Sequence, residues 1–194
     1  MRAPPTRRWL YAGLALAAGV GLVRVLARGP RIAPGTTRIL LIGDSMAEGL
    51  AAPLRALAGE QRVGFEALTE RGTRIDQWAD RDIGASLTAF KPTLVIVVLG
   101  TNDEYMKVRD AGKRQAAPLA RLLARLQGVE YVWIAPLTLP KPASNGTVAL
   151  LHQTIPGAQL FPSESLQVPR GPDKLHPSAR GYAGWAGALW QWLS

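Results

Sequence analysis

TLVIVVL, at Thr93–Leu99, is the strongest strand signal in the chain. It is rich in β-branched residues, carries no charge on either face and ends at Gly100. A strand without polar alternation is buried on both sides, as in the parallel sheets of α/β proteins. RILLI at residues 38–42 and YVWIA at residues 131–135 have the same character. Together these runs predict a parallel sheet that is covered by helices on both faces.

The segments between these strands alternate with them in a helical pattern. Helices are predicted over Ala47–Ala58, Arg74–Phe90, Arg114–Leu126, Val148–Thr154 and Ser178–Leu193, and short strands over Val63–Leu68 and Ala158–Phe161. This alternation predicts a three-layer α/β/α domain, in which ligands bind at the carboxyl ends of the strands. Three polar segments should therefore converge on one edge of the sheet: Gly43-Asp44-Ser45, Arg71-Gly72-Thr73 and Gly100-Thr101-Asn102-Asp103.

The N-terminal segment predicts export. Met1–Arg8 is basic, and Trp9–Val23 is an uncharged apolar run of fifteen residues. That length suits the core of a signal peptide better than a membrane span of about 20 residues. Val25-x-Ala27 offers a cleavage site for such a peptide. A buried helix of the domain is the remaining alternative for this run.

An uncleaved form of the same segment is equally open. If Arg24 snorkels, residues 9–27 stay in the membrane as an anchor with its basic end inside. The chain then divides into residues 1–28 as signal peptide or anchor, 29–37 as a linker, and 38–194 as the domain. Cleaved or anchored, the domain is expected in the periplasm or on the outer side of the cytoplasmic membrane.

The composition of the 194 residues argues against several classes of protein. The first 31 residues hold six arginines and no acidic residue, so the net charge of +9 falls to +3 over the rest. No basic stripe interleaved with aromatic residues follows, which argues against nucleic-acid binding. The absence of cysteine excludes disulfides and thiol nucleophiles. Two distant histidines and no phosphate-binding glycine motif leave no expected metal or cofactor.

Several polar residues of the predicted domain suit nucleophilic catalysis. Ser45 lies between a strand end and a helix start, where its side chain would project from the sheet edge. Asp173 precedes His176 by three residues, close enough for its carboxylate to hold the imidazole Nδ1–H. Nε2 would then be free to take the serine proton. Each residue alone also has a plain structural explanation: Ser45 as a helix N-cap, and the other two as surface residues of a turn.

Asn102 offers a side-chain amide on the loop after the strongest strand. With the backbone N–H groups of Ser45 and Gly72, this amide would form an oxyanion hole. On its own, Asn102 is equally consistent with a simple Asn-Asp turn. His152, the second histidine, has no carboxylate at a suggestive spacing.

The order of these residues resembles the SGNH (GDSL) hydrolase family over residues 38–194. The matching blocks are Gly43-Asp44-Ser45, Gly72, Gly100-x-Asn102-Asp103 and Asp173-x-x-His176-Pro177. The resemblance implies a flavodoxin-like sheet, with Ser45 as nucleophile, His176 as base and Asp173 as its orienter. It also implies an oxyanion hole of the Ser45 and Gly72 N–H groups and the Asn102 amide.

Two features depart from the family pattern. The first block continues with Met46-Ala47-Glu48 where the family has the leucine of its second name. Gly72 lies in Glu70-Arg71-Gly72-Thr73, so its alignment is less secure than that of the other blocks. Both points bear on specificity and on one oxyanion donor more than on the class of reaction.

The resemblance implies a carboxylic-ester hydrolase that acts through an acyl-serine intermediate, on substrates from acetylated glycans to lipids and thioesters. Export, the basic chain and the lack of a long apolar lid favour short acyl groups on cell-wall or secreted polysaccharide. A lysophospholipase or acyl-thioesterase is the alternative. An acyltransferase and a non-catalytic glycan-binding protein on the same fold also stay open. The sequence does not decide the oligomeric state.

Overall fold

The computed structural model describes residues 29–105, 110–140 and 145–194 of the chain. The strands within them are β1 (Arg38–Gly43), β2 (Gly64–Thr69), β3 (Leu94–Val98), β4 (Glu130–Ile134) and β5 (Leu160–Phe161). They form one parallel sheet in the order β2-β1-β3-β4-β5. The helices of the same residues are α1 (Ser45–Glu60), α2 (Ile75–Asp80), α3 (Gly84–Phe90), α4 (Thr101–Tyr105), α5 (Ala111–Arg125), α6 (Thr147–Thr154) and α7 (Ala179–Leu193). The predicted three-layer α/β/α architecture with a flavodoxin-like sheet is confirmed.

Both faces of the sheet are buried, as the uncharged strands predicted. Leu41 and Ile96 lie on the face that α1 and α7 cover, and both are fully buried. Leu40 and Val97 point to the opposite face, which packs against α2, α3, α5 and α6. Each such side chain contributes about 1.5–3 kcal/mol when it leaves water. In the closing helix α7, Trp185 is fully buried in the core on the same face as Leu41 and Ile96.

Two predicted elements differ in the structure. The helix predicted over Arg74–Phe90 is two helices, because the chain breaks between them and the Asp82 carboxylate accepts a hydrogen bond from the Gly84 N–H. Such local side-chain bonds compete with helical ones. The segment after β3, predicted as a loop, is the short helix α4, which carries Asn102.

Residues 29–37, predicted as a linker, lie against the domain. The Ile32 N–H donates to the Leu193 carbonyl over 2.8 Å, and the Ile32 side chain is buried in the core. Residues 1–28, with the predicted signal peptide or anchor, lie outside the described residues, and the division of the chain at 28 and 37 stays a prediction. In the part that the structure describes, no helix is long and apolar enough to cross a membrane.

The sheet order brings the predicted site segments to one edge. β1 and β3 are neighbours at the point where the strand order reverses: β2 lies beyond β1 on one side, and β4 and β5 lie beyond β3 on the other. The connections that follow β1 and β3 therefore leave the sheet in opposite directions, and the crevice between them is where sheets of this kind bind ligands. Gly43 closes β1 with φ at +150°, and a side chain there would collide with the Val98 carbonyl of β3. Glycine alone allows β1 to turn into α1 this close to β3.

Candidate active site

Ser45 is the first residue of α1, directly after β1. The residue before it, Asp44, is the N-cap, and its Oδ1 accepts a hydrogen bond from the Met46 N–H over 2.8 Å. Ser45 is therefore not the cap, which leaves its hydroxyl available for another partner. That partner is the imidazole of His176, with Ser45 Oγ 2.9 Å from its Nε2.

Asp173 holds the other side of the same imidazole. Its Oδ2 lies 2.6 Å from Nδ1 of His176, and its Oδ1 accepts from the N–H groups of Leu175 and His176, each over 2.9 Å. The hydrogen bond from His176, followed by the two backbone bonds, lowers the pKa of Asp173 to about 2. The carboxylate is therefore ionised near neutral pH and keeps the Nδ1 proton in place.

The backbone of residues 170–177, here called the histidine turn, is fixed by its own hydrogen bonds. The Gly171 N–H donates to the His176 carbonyl over 2.8 Å, and Lys174 adopts the left-handed region with φ at +59°. The Arg170 guanidinium donates to the Leu175 carbonyl within the turn and, over 2.9 Å, to the Thr138 carbonyl in the loop after β4. These bonds attach the histidine to the sheet edge.

The predicted oxyanion donors differ in whether they already donate a hydrogen bond within the protein. Among the described residues, no acceptor is bonded to the backbone N–H of Ser45 or of Gly72. The Asn102 amide is already engaged: its Nδ2 donates to Asp44 Oδ2 and to the Thr73 carbonyl, each over 2.9 Å. Both amide hydrogens thus have partners, and Asn102 must share or release one of them to bind an oxyanion.

Sequence reasoning did not single out Asp44, which lies behind the nucleophile. Its side chain is fully buried, and burial raises its pKa to about 7 against the effect of the Met46 hydrogen bond. The nearby carboxyl of Asp103 raises it further and is itself buried, with its own pKa raised by burial to about 6. Two buried carboxyl groups therefore lie behind the nucleophile, and ionisation of one makes ionisation of the other less favourable.

A cleft of about 590 Å³ opens above these residues. Ser45, His176, Gly72 and Asn102 all contribute to its lining. The predicted catalytic and oxyanion residues therefore share one solvent-accessible space. His152 lies outside it and pairs with Glu164 over 2.7 Å between Nε2 and Oε1. Within the described ranges, no group of three or more histidine, aspartate or glutamate residues could hold a metal ion.

Comparison with known proteins agrees with this architecture. A family model described as "Protein of unknown function (DUF459)" matches residues 38–151, more than half of the chain, from β1 to the middle of α6. The matched region includes Ser45, Gly72 and Asn102 and ends before the histidine turn. Among curated proteins, no match to the sequence is found.

Solved structures resemble the chain over most of its length. LAE5, an alpha/beta hydrolase enzyme from the metagenome of Lake Arreo, has a TM-score of 0.66 at 16% identity, over 83% of this chain and 96% of its own. A catalytic mutant of the acetylxylan esterase Axe2 from Geobacillus stearothermophilus has 0.63 at 15%, over 84% and 96%. The lipase/acylhydrolase from Enterococcus faecalis has 0.59 at 13%, over 79% and 94%. At these identities the likeness concerns the fold, and at that level the resemblance to the SGNH hydrolases is confirmed.

Proposed function

The chain belongs to the DUF459 family, whose description assigns no function, and we propose that it is a serine-dependent carboxylic-ester hydrolase. One observation carries the proposal. The hydrogen bonds from Asp173 through His176 to Ser45 form an unbroken line that ends in an open cleft. A nucleophile, its base and the base's orienter in this geometry serve acyl transfer.

In the proposed reaction, Ser45 Oγ attacks the ester carbonyl while His176 Nε2 takes its proton. The new Oγ–C bond places negative charge on the carbonyl oxygen, which the Ser45 and Gly72 N–H groups stabilise, with the Asn102 amide as third donor. Collapse of this intermediate breaks the bond to the alcohol, which leaves with the proton from His176. Water then repeats the sequence on the acyl-serine, and the acid and the free serine are restored.

Asp173 decides which nitrogen of the imidazole acts as the base. Its low pKa keeps it ionised, so Nδ1 carries the proton and Nε2 presents its lone pair to Ser45. When the imidazole becomes positively charged in the transition state, the same carboxylate stabilises it. The aspartate therefore orients and stabilises the base and does not accept its proton.

We propose short acyl groups, acetyl above all, on a cell-wall or secreted polysaccharide as the substrate. The support is the mouth of the cleft, where the exposed charged side chains of Glu48 and Arg71 lie among the lining residues. A long acyl chain needs continuous apolar surface to repay its transfer from water, about 0.8 kcal/mol per methylene. Among the similar structures, one is named an acetylxylan esterase and another a lipase/acylhydrolase, so an acyl chain of either length is compatible with the fold.

We further propose that the domain works outside the cytoplasmic membrane. The support is the sequence of residues 1–28, whose basic start and apolar core are typical of a signal peptide or an N-terminal anchor. Fractionation of cells that express the full chain tests this proposal. Recovery of the protein in the cytoplasmic fraction would contradict it.

Hydrolysis of p-nitrophenyl acetate, butyrate and decanoate tests the activity and the acyl length together. The wild type should turn over acetate fastest. Ser45→Ala and His176→Ala should each lose most of the turnover, and the double variant should be little worse, because the two residues act as one unit. His152→Ala is the matched control and should retain activity.

Three outcomes would change the proposal. Near-normal turnover in His176→Ala would show that His176 is not the base. A preference for decanoate would replace the acetyl esterase with a lipid or thioester hydrolase. No serine-dependent turnover on any ester would contradict the hydrolase and favour acyl transfer or glycan binding.

A further inference from the structure

A charged pair lies at the mouth of the cleft, in addition to the residues that the reaction requires. Arg71 and Glu48 are joined by two hydrogen bonds, from Nε to Oε2 over 2.5 Å and from Nη2 to Oε1 over 2.9 Å. Both side chains line the same cleft as Ser45 and His176. Glu48 follows the nucleophile by one turn of α1, and Arg71 directly precedes Gly72, so the pair borders the reacting centre on two elements.

The exposure of the pair argues against a purely structural role. The side chains are 78% exposed for Arg71 and 43% exposed for Glu48. An exposed ion pair contributes little to stability, because water screens the two charges and both long side chains lose conformational freedom. What the pair does provide is a fixed, planar array of donors and acceptors that faces the cleft.

The pair keeps hydrogen-bonding capacity after its internal bonds are made. A guanidinium has five N–H donors, of which Glu48 uses two, and each carboxylate oxygen keeps a free lone-pair direction. Neighbouring hydroxyl groups of a sugar ring both donate and accept hydrogen bonds, so they can bond the carboxylate and the guanidinium together. A bare anion gains less here, because Glu48 already balances the charge of Arg71.

Tyr182 adds an aromatic surface to the same cleft. Its ring fills the space over Gly49, where a side chain would collide with it, and it stacks on Trp185 with ring centres 6.3 Å apart. Burial raises the pKa of its hydroxyl to about 12, so the hydroxyl stays protonated at neutral pH, and it donates to Met46 Sδ over 3.7 Å. The part of the ring that stays exposed in the cleft offers an apolar contact to the C–H groups of a sugar, whose hydroxyl groups would reach Glu48 and Arg71.

We propose that Glu48, Arg71 and Tyr182 form a subsite that binds the sugar ring of a carbohydrate ester, with Glu48 and Arg71 bonding its hydroxyl groups. This inference rests on the proposed hydrolase function and assigns its substrate class to particular residues. A lipid ester would instead have to cover the ion pair with hydrocarbon and would lose the hydrogen bonds of both groups to water.

The test compares two acetate esters that differ in the group released. Mono-O-acetylated cellobiose offers hydroxyl groups, and p-nitrophenyl acetate offers none. In Arg71→Met and in Glu48→Gln, the ratio of kcat/KM for the sugar ester to that for the nitrophenyl ester should fall about tenfold or more, the usual effect of losing a hydrogen bond to a charged group. Arg121→Met is the matched control, because this arginine also forms an exposed ion pair, with Asp80, away from the cleft.

The outcomes separate this inference from the proposed function. An unchanged ratio overturns the subsite, and so does an equal fall on both esters, because the pair would then only hold the Gly72 loop. Binding of mono-O-acetylated cellobiose to Ser45→Ala, measured by calorimetry, needs no turnover. Arg71→Met in that background should weaken this binding about tenfold. No binding to Ser45→Ala overturns the subsite, whereas binding without serine-dependent hydrolysis in the wild type overturns the hydrolase alone.

Discussion

Replacement of Asp44 by asparagine should change how the stability of the protein depends on pH. Burial raises the pKa of Asp44 from an ordinary value of 3.8 to about 7 in the folded protein. The folded state therefore binds this proton more tightly than the unfolded state does. The free energy of unfolding is then highest below the unfolded pKa and falls as the pH rises towards 7.

The size of this effect follows from the two pKa values. They differ by about three, and one pKa unit corresponds to about 1.4 kcal/mol, so the loss between about pH 4 and pH 7 is on the order of 4 kcal/mol. Asp103 raises the pKa of Asp44 by its charge and titrates in the same range, so the loss belongs to the pair. Asp103→Asn should accordingly reduce the loss without removing it.

Urea unfolding at about pH 4, 5.5 and 7 measures the effect. Asp44→Asn removes the titrating carboxyl group and also alters the bond to Asn102. The difference in the free energy of unfolding between this variant and the wild type therefore contains a constant offset that does not depend on pH. On top of that offset, its relative stability should improve with pH by up to the amount given above. Leu50→Ala, a buried change without a titratable group, should be less stable by about 2–5 kcal/mol at every pH. A constant difference for Asp44→Asn as well would refute the reasoning.

Three further changes test the site and its support. Asn102→Ala should lower kcat by about 10²–10³, as the loss of an oxyanion donor does; a fall below tenfold would mean that the amide only bonds Asp44 and Thr73. Arg170→Gln should lower kcat more than it raises KM, because the histidine turn loses its bonds to the guanidinium; an unchanged kcat would contradict this role. Gly43→Ala should reduce the free energy of unfolding in urea by more than about 1 kcal/mol, because φ at +150° and the Val98 carbonyl exclude a side chain; a variant as stable as the wild type would show that β1 and β3 can separate there.

The strands could be predicted because their signal is local. Leu94–Val98 is apolar at every position, and a strand buried on both faces needs nothing else to identify it. The break between α2 and α3 could not be predicted in the same way. The residues on both sides suit a helix, and the interruption depends on how Asp82 bonds the backbone of Gly84.

The candidate site was predictable in its position but not in its hydrogen bonds. Parallel strands bring Ser45 and Asn102 to one edge whatever the details of packing, so chain order was enough. The bonds of Asn102 to Asp44 and Thr73 depend on how three loops meet and have no signature in sequence. The sequence did place Glu48 and Arg71 near the site, because Glu48 follows Ser45 by three residues and Arg71 directly precedes Gly72. That the two side chains meet was not visible from the sequence.

The bond between Ile32 and Leu193 fixes where the described chain enters the domain relative to the cleft. It holds residue 32 at the amino end of the sheet, where β1 begins, whereas the cleft opens at the carboxyl end. If residues 9–27 anchor the chain, the domain would stand on the bilayer with its reactive side turned towards the surroundings. An enzyme placed in this way would meet polymers that approach from outside, and lipids of its own membrane would lie at its back.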